Sequence, residues 1–389
     1  MRKVLILASV ASMIDQFNTS NILIFKQMNC EVHVVANFQF GSTTSKERVD
    51  EYKEHLISIG VIVHDILIDR NAISLSNINA YKEIHKLIDE MQFDIIHCHS
   101  PIGGVIARLA ARKARHNNTK VVYTAHGFHF FNGASKKNWI IYYSIEKWLS
   151  KFTDCLITIN EEDYQVASKN FKAKDLKLVN GIGIDLKKYH PPTVDEKSLL
   201  RKKYGYQEND FILMYAGELS YRKHQDLLIN TVHIIADKIP NIKLLLAGKG
   251  EYLSNYEELV DELGLKSKIE FLGYRQDINN FMMLSDVAVS ASRQEGLPVN
   301  IMEAMAIGLP TIVTDCRGNR DLIKHEKNGF VVDINDSSSF AYYIEKLFNS
   351  EELRRLFSER NKNIIENYSV EKINIVTSQI YSNYLKPIE

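Results

Sequence analysis

Two glutamates, Glu295 and Glu303, are separated by seven residues in a stretch that suits the binding of an anion such as phosphate. Glu295 follows a short apolar run, and Pro298 suits the first position of the next helix, where its missing N–H costs nothing. We expect this helix to run to about Ile307 and to end at Gly308. Free N–H groups at a helix start favour an anion such as phosphate. The alternative is a surface loop followed by an ordinary amphipathic helix.

A basic loop follows another apolar run, Phe211–Ala216. Gly217 opens this loop and permits a close backbone approach. Arg222 and Lys223 stand just ahead of the next predicted helix, where they could hold a phosphate. Gly248 begins a glycine turn after a third apolar run, which is a weak signal alone. A solvated basic turn is the alternative reading of such a loop.

A histidine follows a buried run in the first half of the chain. His126 comes directly after Lys120–Ala125 and could donate a hydrogen bond to a reacting group or a sugar hydroxyl. A structural histidine with satisfied hydrogen bonds is the alternative. His97 and His99 end a neighbouring run, but their spacing to any third metal ligand is unsupported. The chain contains no Asp-x-Asp, the usual acidic clamp for a metal-bound diphosphate, and we expect no metal site.

Composition sets the class of protein. A chain of 389 residues suggests two domains, and 45% hydrophobic with 25% charged residues is typical of a globular protein. A formal net charge of zero gives no support for nucleic-acid binding. Four cysteines without C-x-x-C pairing indicate reduced thiols in a cytoplasmic protein. No apolar run approaches the roughly 20 residues of a membrane span, so any membrane contact is expected to be peripheral.

Apolar runs rich in Val and Ile alternate with longer helical patterns such as Ile14–Met28, which predicts an α/β protein with two doubly wound parallel sheets. The predicted strands of the first half are Val4–Ser9, Val32–Asn37, Val61–Leu67, Ile95–His99, Lys120–Ala125 and Cys155–Ile159. Those of the second half are Phe211–Ala216, Lys243–Ala247, Ile269–Leu272, Val287–Ser290, Thr311–Val313 and Gly329–Val332. Ligands of such sheets bind beyond the carboxyl ends of the strands, where the candidate residues stand.

Three segments are expected from this pattern. Residues 1–188 form a first Rossmann-like domain, and residues 189–365 form a second one. Residues 366–389 form a helix that packs back on the first domain. A turn cluster around Gly181 and Pro191 suits the linker between the domains. The largest crevice is expected between them.

A basic and aromatic segment covers residues 99–151. Its only acidic residue is Glu146, whereas nine residues are basic: Arg108, Arg112, Lys113, Arg115, Lys120, Lys136, Lys137, Lys147 and Lys151. Its aromatic residues include Phe130, Phe131, Trp139, Tyr142, Tyr143 and Trp148. Such a surface suits an anionic membrane face or a phosphate-bearing acceptor. A buried aromatic helix with a solvated basic rim is equally compatible.

Taken together, these motifs resemble the retaining glycosyltransferases of family 4, which have the two-domain GT-B fold. The motifs of the second half are Gly217…Lys223, Leu246-Ala247-Gly248-Lys249-Gly250, Phe271-Leu272-Gly273-Tyr274, Glu295-Gly296-Leu297-Pro298 with Glu303-Ala304-Met305, Gly308-Leu309-Pro310 and Asn328-Gly329-Phe330. The first half is similar to a branch used in capsular and exopolysaccharide assembly, through Tyr123-Thr124-Ala125-His126-Gly127-Phe128-His129-Phe130.

The resemblance implies that residues 1–188 are the acceptor-side domain and that residues 189–365 are the nucleotide-sugar-binding domain. It also implies roles for individual residues. Glu295 would bind hydroxyls of the donor sugar, Lys223 would neutralise the leaving diphosphate, and His126 would reach the donor sugar from the other domain. Glu303 would hold the ribose hydroxyls, and the N–H groups near Gly296 and Leu297 would meet the diphosphate. The implied nucleotide-sugar site therefore comprises Gly217, Arg222, Lys223, Gly248, Gly296, Leu297 and Glu303.

Two positions depart from the family pattern. The family often has arginine where this chain has Glu218, beside the phosphate site. It also often has a glycine-rich first loop, whereas Ser9–Asn18 contains no glycine. An acidic residue that pointed into the phosphate site would repel a diphosphate, so the orientation of Glu218 matters.

The function implied by the resemblance is transfer of a hexose or N-acetylhexosamine from a UDP-sugar to a lipid-diphosphate-linked saccharide, in capsular or exopolysaccharide assembly. The donor is a substrate, and no cofactor is expected. The expected location is the cytoplasm, at the inner face of the cell membrane. Two alternatives are a UDP-sugar 2-epimerase on the same fold and a non-catalytic nucleotide-sugar-binding partner subunit.

Overall fold

The computed structural model describes residues 1–385 and divides them into two units. The first comprises residues 1–183 with 371–385, and the second is Ile184–Val370. Each contains one parallel sheet, as the alternating pattern predicts. The last four residues of the predicted C-terminal segment, 386–389, lie outside the described residues. No helix within residues 1–385 is long and apolar enough to cross a membrane.

The first unit has a seven-stranded sheet in the order β3-β2-β1-β4-β5-β6-β7. Its strands are β1 (Arg2–Val10), β2 (Cys30–Asn37), β3 (Ile62–Asp65), β4 (Ile95–His99), β5 (Lys120–Ala125), β6 (Cys155–Thr158) and β7 (Asp175–Leu178). Its helices, in chain order, are α1 (Ala11–Phe17), α2 (Thr19–Gln27), α3 (Lys46–Ser58), α4 (Ser76–Met91), α5 (Pro101–Ala110), α6 (Lys136–Leu149) and α7 (Glu161–Asn170).

Both faces of this sheet are covered, which explains why its central strands are continuous apolar runs. Along β1, the alternate residues Val4 and Ile6 belong to the apolar core on one face. Leu5 and Leu7 belong to the core on the other face. The sheet therefore holds its carboxyl-end loops on a rigid base.

The second unit has a six-stranded sheet in the order β10-β9-β8-β11-β12-β13. Its strands are β8 (Phe211–Ala216), β9 (Ile242–Ala247), β10 (Ile269–Gly273), β11 (Val287–Ser290), β12 (Thr311–Thr314) and β13 (Phe330–Val332). Its helices are α8 (Val194–Tyr204), α9 (Gln225–Ile235), α10 (Leu253–Glu262), α11 (Ile278–Leu284), α12 (Val299–Ile307), α13 (Asn319–Leu322), α14 (Ser337–Phe348) and α15 (Glu351–Ile365).

The last helix, α16 (Val370–Tyr384), belongs to the first unit from residue 371 onward. Its Tyr381 is fully buried and stacks on Phe25 of α2, with 3.9 Å between ring centroids. The Tyr381 hydroxyl also hydrogen bonds to Nδ1 of His97 on β4 at 2.7 Å. The end of the chain thus completes the core begun by its first strands.

The sequence pattern did not predict β7, α8 and α13, because these elements are largely polar or very short. β7 is an edge strand with mostly exposed residues, so it lacks an apolar run. α8 buries only Arg201, although its capping box of Thr193 and Glu196 is a helix-start signal that sequence carries. The four-residue α13 is too short to have a period.

Two predicted boundaries were wrong. The helix predicted over Ile14–Met28 is two helices, because the buried Asn18 breaks it and its side-chain amide donates to the carbonyl oxygen of Met13. Pro298 has extended backbone angles and precedes α12 as its N-cap, whereas the sequence predicted it as the first helical residue. α12 does end at Gly308, which has a left-handed φ of 82°.

Glycines allow the loops after β8 and β9 to approach each other closely, because they lack a Cβ atom. A Cβ atom on Gly248 would lie 1.9 Å from the carbonyl oxygen of Gly217, and one on Gly250 would lie 2.0 Å from that of Leu219. These are backbone neighbours that no side-chain rotation can relieve. A Cβ on Gly217 would make ordinary van der Waals contacts with the side chains of Lys223, at 3.6 Å, and Tyr215, at 3.7 Å.

We therefore expect Gly250→Ala to lower the free energy of unfolding by about 2 to 3 kcal/mol, because the new methyl group overlaps backbone atoms. Gly217→Ala, in the facing loop, is the matched control and should change it by less than about 1 kcal/mol. Urea denaturation followed by circular dichroism measures both. Equal effects of the two substitutions would contradict the close-approach argument.

Candidate active site

Two loops meet at the carboxyl end of the second sheet because β8 and β11 are adjacent parallel strands. The loop after β8 leads to α9, and the loop after β11 leads to α12. The N–H of Arg293 donates to the carbonyl oxygen of Arg222 at 2.9 Å, which ties the loops together. Asn300, in the first turn of α12, donates to the carbonyl oxygen of Ala216 at 2.8 Å. The predicted candidates Lys223 and Glu295 are brought into contact by this arrangement.

Lys223 and Glu295 form a buried ion pair, with 2.5 Å between Nζ and Oε1. The same Oε1 accepts a hydrogen bond from the hydroxyl of Ser292 at 2.6 Å. The Ser292 hydroxyl lies 2.8 Å from that of Tyr215, which in turn donates to the carbonyl oxygen of Lys223 at 3.1 Å. Both members of the pair are thus held in place by Tyr215 on β8 and by Ser292 in the loop after β11.

Burial would raise the pKa of Glu295, but the charges of Lys223 and Arg222 outweigh it, helped by hydrogen bonds from Lys223 and Ser292. The net result is a lowered pKa. Glu295 is therefore a carboxylate in the folded protein, with only 7% of its surface exposed. It can accept hydrogen bonds or stabilise positive charge.

Arg222 lies between two carboxylates at the mouth of this pair. Its guanidinium is 3.6 Å from Oε2 of Glu295 and 3.6 Å from Oε2 of Glu218. Glu218, the position that departs from the family pattern, has an exposed side chain in this ion pair. The charge of Glu218 is therefore partly offset by Arg222.

The segment from Gly296 to Pro298 leads into α12. Leu297 is buried and Gly296 is partly exposed. The buried Arg317 fixes this turn, because its Nε donates to the carbonyl oxygen of Glu295 at 2.9 Å. A Cβ on Gly318 would lie 2.5 Å from the carbonyl oxygen of Gly296, so the loop after β12 closes on the turn. The first N–H groups of a helix such as α12 have no partner within it and are available to an anion.

Glu303 occupies the second turn of α12 in a different environment. Burial raises its pKa, opposed by a hydrogen bond with Tyr189 and by the charge of Lys188. The structure does not bring Glu303 into the pair of Lys223 and Glu295. The two glutamates of the opening motif thus have separate partners and pKa shifts of opposite sign.

His126, in the first unit, ends a row of histidines at the carboxyl ends of β4 and β5. Its Nε2 lies 3.1 Å from Nδ1 of His99, and His97 lies 2.8 Å from the hydroxyl of Thr124. Nε2 of His99 is buried without a hydrogen-bond partner. Burial lowers the pKa of His126 to about 4 and that of His97 to about 3, so both rings are neutral near pH 7. A neutral ring has one donor and one acceptor nitrogen.

The histidines of this row were also considered as metal ligands in the sequence. Within residues 1–385, no group of three or more His, Cys, Asp or Glu side chains could hold a metal ion. All four cysteines are buried and free.

Sequence reasoning missed several residues that shape the site, namely Tyr189, Tyr215, Ser292, Asn300 and Arg317. Arg317 follows the buried strand β12 closely, so the rule that ligands bind beyond strand ends could have found it. Tyr189 contacts Glu303 across more than 100 residues of sequence, and no local pattern carries that contact.

Family profiles match both units. Residues 196–364 match a family described as glycosyl transferases group 1. Residues 4–160 match one described as glycosyl transferase 4-like.

Individual relatives extend over most of the chain. A protein of Bacillus subtilis (strain 168), provisionally named as the glycosyltransferase EpsD, is 40% identical over 386 residues, which cover 99% of this chain and 97% of that protein. The UDP-Gal:α-D-GlcNAc-diphosphoundecaprenol α-1,3-galactosyltransferase of Escherichia coli is 30% identical, covering 78% of this chain and 79% of that enzyme. The crystal structure of Anabaena HepE with UDP and glucose has a TM-score of 0.79 at 21% identity, covering 98% of this chain and all of that chain.

The opposite pKa shifts of the two glutamates predict opposite effects on stability. Glu295→Gln should lower the free energy of unfolding at pH 7 by about 3 kcal/mol, because the buried Lys223 loses its charged partner. Glu303→Gln should leave it unchanged or raise it, because the ionised form of a carboxyl group with a raised pKa costs stability. Urea denaturation at pH 7 compares these matched substitutions. A larger loss for Glu303→Gln than for Glu295→Gln would contradict the assignment.

The lowered pKa of His126 predicts its titration. Its C2 proton resonance should stay constant from pH 8 to about 6 and shift with a midpoint near pH 4, because burial disfavours the charged ring. NMR titration, with His126→Gln used to assign the signal, measures this. The unfolded pKa of about 6.5 lies above the folded value, so the stability contributed by the neutral ring is lost as pH falls from about 6.5 towards 4. A midpoint near 6.5 would show an unburied ring.

Proposed function

Because the chain belongs to the group 1 glycosyltransferases and has the GT-B fold, we propose that it transfers a hexose or N-acetylhexosamine from a UDP-sugar with retention of anomeric configuration. The observation that carries this proposal is the buried pair of Lys223 and Glu295, at the carboxyl ends of adjacent strands and beside the starts of α9 and α12. Such a pair offers a cation for a leaving diphosphate and a carboxylate for the sugar that loses it.

Lys223 is the group we assign to the leaving diphosphate. Its ammonium has three N–H donors, of which Glu295 takes one, so others remain for phosphate oxygens. When the bond from the sugar C1 to the diphosphate oxygen breaks, negative charge grows on that oxygen. A positioned cation stabilises this charge more than it stabilises the bound substrate, which lowers the barrier. Arg222 adds a second positive charge beside it.

Glu295 is the group we assign to the donor sugar. A glycosyl transfer passes through a state with oxocarbenium character, in which the sugar ring is positive. The lowered pKa keeps Glu295 ionised, so it can accept hydrogen bonds from sugar hydroxyls and favour that positive charge. The acceptor oxygen then bonds to C1 on the face that the diphosphate leaves, and its proton passes to the departing diphosphate oxygen.

The remaining predicted residues are proposed to bind the donor. We assign Glu303 to the ribose hydroxyls, and the N–H groups of Gly296 and Leu297 to the diphosphate. Gly217 and Gly248 would allow the backbone to approach the nucleotide, since neither carries a Cβ. His126 is proposed as a neutral hydrogen-bond donor to the sugar, in accord with its lowered pKa.

The acceptor is proposed to be a saccharide on a lipid diphosphate, used in capsular or exopolysaccharide assembly at the inner face of the cell membrane. The support is the Escherichia coli relative, whose name specifies a UDP-galactose donor and a diphosphoundecaprenol-linked acceptor. A metal-independent reaction is proposed, because Lys223, Arg222 and a helix start supply positive potential to a diphosphate.

The test is sugar transfer from a panel of UDP-sugars to a lipid-diphosphate saccharide, with the product anomer read by NMR. Lys223→Met should lower kcat by about 100-fold to 1,000-fold, because one stabilising donor of the leaving group is lost. Lys238→Met is the matched control, since this exposed lysine lies beyond the other end of α9 and should leave kcat unchanged.

Three outcomes would contradict the proposal. Near-normal turnover by folded Lys223→Met would remove Lys223 from the reaction. An epimerised UDP-sugar without transfer would indicate an isomerase, and UDP-sugar binding without turnover would indicate a partner subunit.

A further inference from the structure

Helix α6 in the first unit has an apolar stripe exposed to solvent. Its other side is anchored by the buried Glu146 and Leu149. Residues three and four apart share one face of a helix, so positions 141, 145 and 148 form a line with 140 beside it. This stripe consists of Ile140, Ile141, Ile145 and Trp148. Ile140 is 71% exposed and Trp148 is 46% exposed. Contiguous exposed apolar surface of this kind marks an interaction site.

The charge around this stripe is positive. Lys136 and Lys137 stand at the start of α6, and Lys147 and Lys151 stand at its end, all exposed. Glu146, the one acidic residue of α6, does not offset them, because it is buried and accepts two hydrogen bonds from Arg108, at 2.8 and 3.1 Å. The exposed face of the helix therefore combines apolar side chains with uncompensated lysines.

A basic cavity of about 440 Å³ lies beside this helix, between α4 and the end of α5. Four of its lining side chains can carry positive charge: His85, Arg112, Lys113 and His116. An acidic group, the carboxylate of Asp89, lies 3.9 Å from Nε2 of His85. Arg112 and Lys113 are exposed and could contact a phosphate that entered the cavity.

Arg112 and Phe152 connect the cavity to the apolar stripe through side-chain contacts. The Arg112 guanidinium lies over the ring of Phe152, 5.6 Å from its centroid. The Phe152 ring meets the Trp148 indole edge to face, with 5.3 Å between centroids. A ligand that covered Trp148 would therefore reach the basic cavity through Arg112.

We propose that α6 and the adjoining basic cavity dock the protein on a bilayer of anionic phospholipids. The stripe of Ile140, Ile141, Ile145 and Trp148 enters the boundary between headgroups and acyl chains, as in other interfacial helices. The lysines remain at the level of the phosphates, and Arg112 with Lys113 holds a lipid phosphate in the cavity. Charge complementarity favours an anionic bilayer as the partner, because lysines border the apolar stripe and α6 has no exposed acidic residue. The proposed lipid-linked acceptor would give this docking a biological role, but the inference itself is argued from the surface of the first unit.

The test is co-sedimentation of the full chain with vesicles, either of phosphatidylcholine alone or with 30% phosphatidylglycerol. We expect tighter binding to the anionic vesicles, weakened by salt, and a loss of roughly 5-fold in affinity for each of Lys136→Gln, Lys137→Gln and Lys147→Gln. Ile141→Ser with Ile145→Ser should lower affinity at least about 10-fold. Ile375→Ser with Val376→Ser is the matched control, because these residues are equally exposed on α16 of the same unit.

A fluorescence signal distinguishes insertion from charge attraction alone. The chain has two tryptophans, and Trp148 is the exposed one. Vesicle binding should shift the emission to shorter wavelength in the native chain and not in Trp148→Phe.

Absent binding, equal binding to both vesicle types, or α6 variants that bind like the native chain would overturn the proposal. Self-association lost in the α6 variants, without vesicle binding, would overturn it in favour of an interface between copies. The α6 variants should transfer sugar normally to a short soluble acceptor analogue, so a failure of membrane docking is distinguishable from a failure of the proposed transfer activity.

Discussion

The candidate site depends on one interaction, the buried ion pair of Lys223 and Glu295. Two charges removed from water lose several kcal/mol of hydration each, and their mutual attraction offsets this only when the remaining polar atoms are also satisfied. Here the Ser292 hydroxyl shares the carboxylate oxygen with Lys223, and Tyr215 holds the serine from β8. Tyr215 lies on β8 and Ser292 lies two residues beyond the end of β11, so the adjacent strands help to set the geometry of the pair.

Glycines around the pair allow close loop contacts that also hold Lys223 and Glu295 in position. Lys223 lies in a loop that the glycine turn after β9 approaches within contact distance of backbone atoms. On the opposite side, the Arg317 side chain and Gly318 close on the turn that contains Glu295. These contacts leave little freedom to the two loops. A rigid charge pair can stabilise a transition state without reorganising as the reaction proceeds.

The alternating pattern of the sequence was sufficient to predict two parallel sheets, because strands buried on both faces must be continuously apolar. β4, β5, β8 and β11 were predicted with the bounds that the structure has. Polar or short elements such as β7, α8 and α13 could not be found in this way, since they bury few side chains.

The candidate residues were found through a single rule, that loops after parallel strands carry the chemistry. This rule could suggest that Lys223 and Glu295 lie near each other, but not that they form an ion pair with each other. Pairing depends on Ser292 and Tyr215, whose roles arise from contacts distant in sequence. The exposed stripe of α6 was also obscured: the sequence indicated an aromatic surface, whereas Phe130 is buried and the exposed residues are chiefly isoleucines.

The return of α16 to the first unit has a consequence for biosynthesis. Tyr381 fills space against Phe25 and satisfies His97, yet it leaves the ribosome only after the whole second unit of about 190 residues has been made. At translation rates of about 5 to 20 residues per second, synthesis of the second unit takes roughly 10 to 40 s. Throughout this time the apolar surface around Phe25 remains uncovered. During that interval the nascent chain presents a surface that a chaperone would recognise. Emergence of α16 from the ribosome is the event that closes the first core.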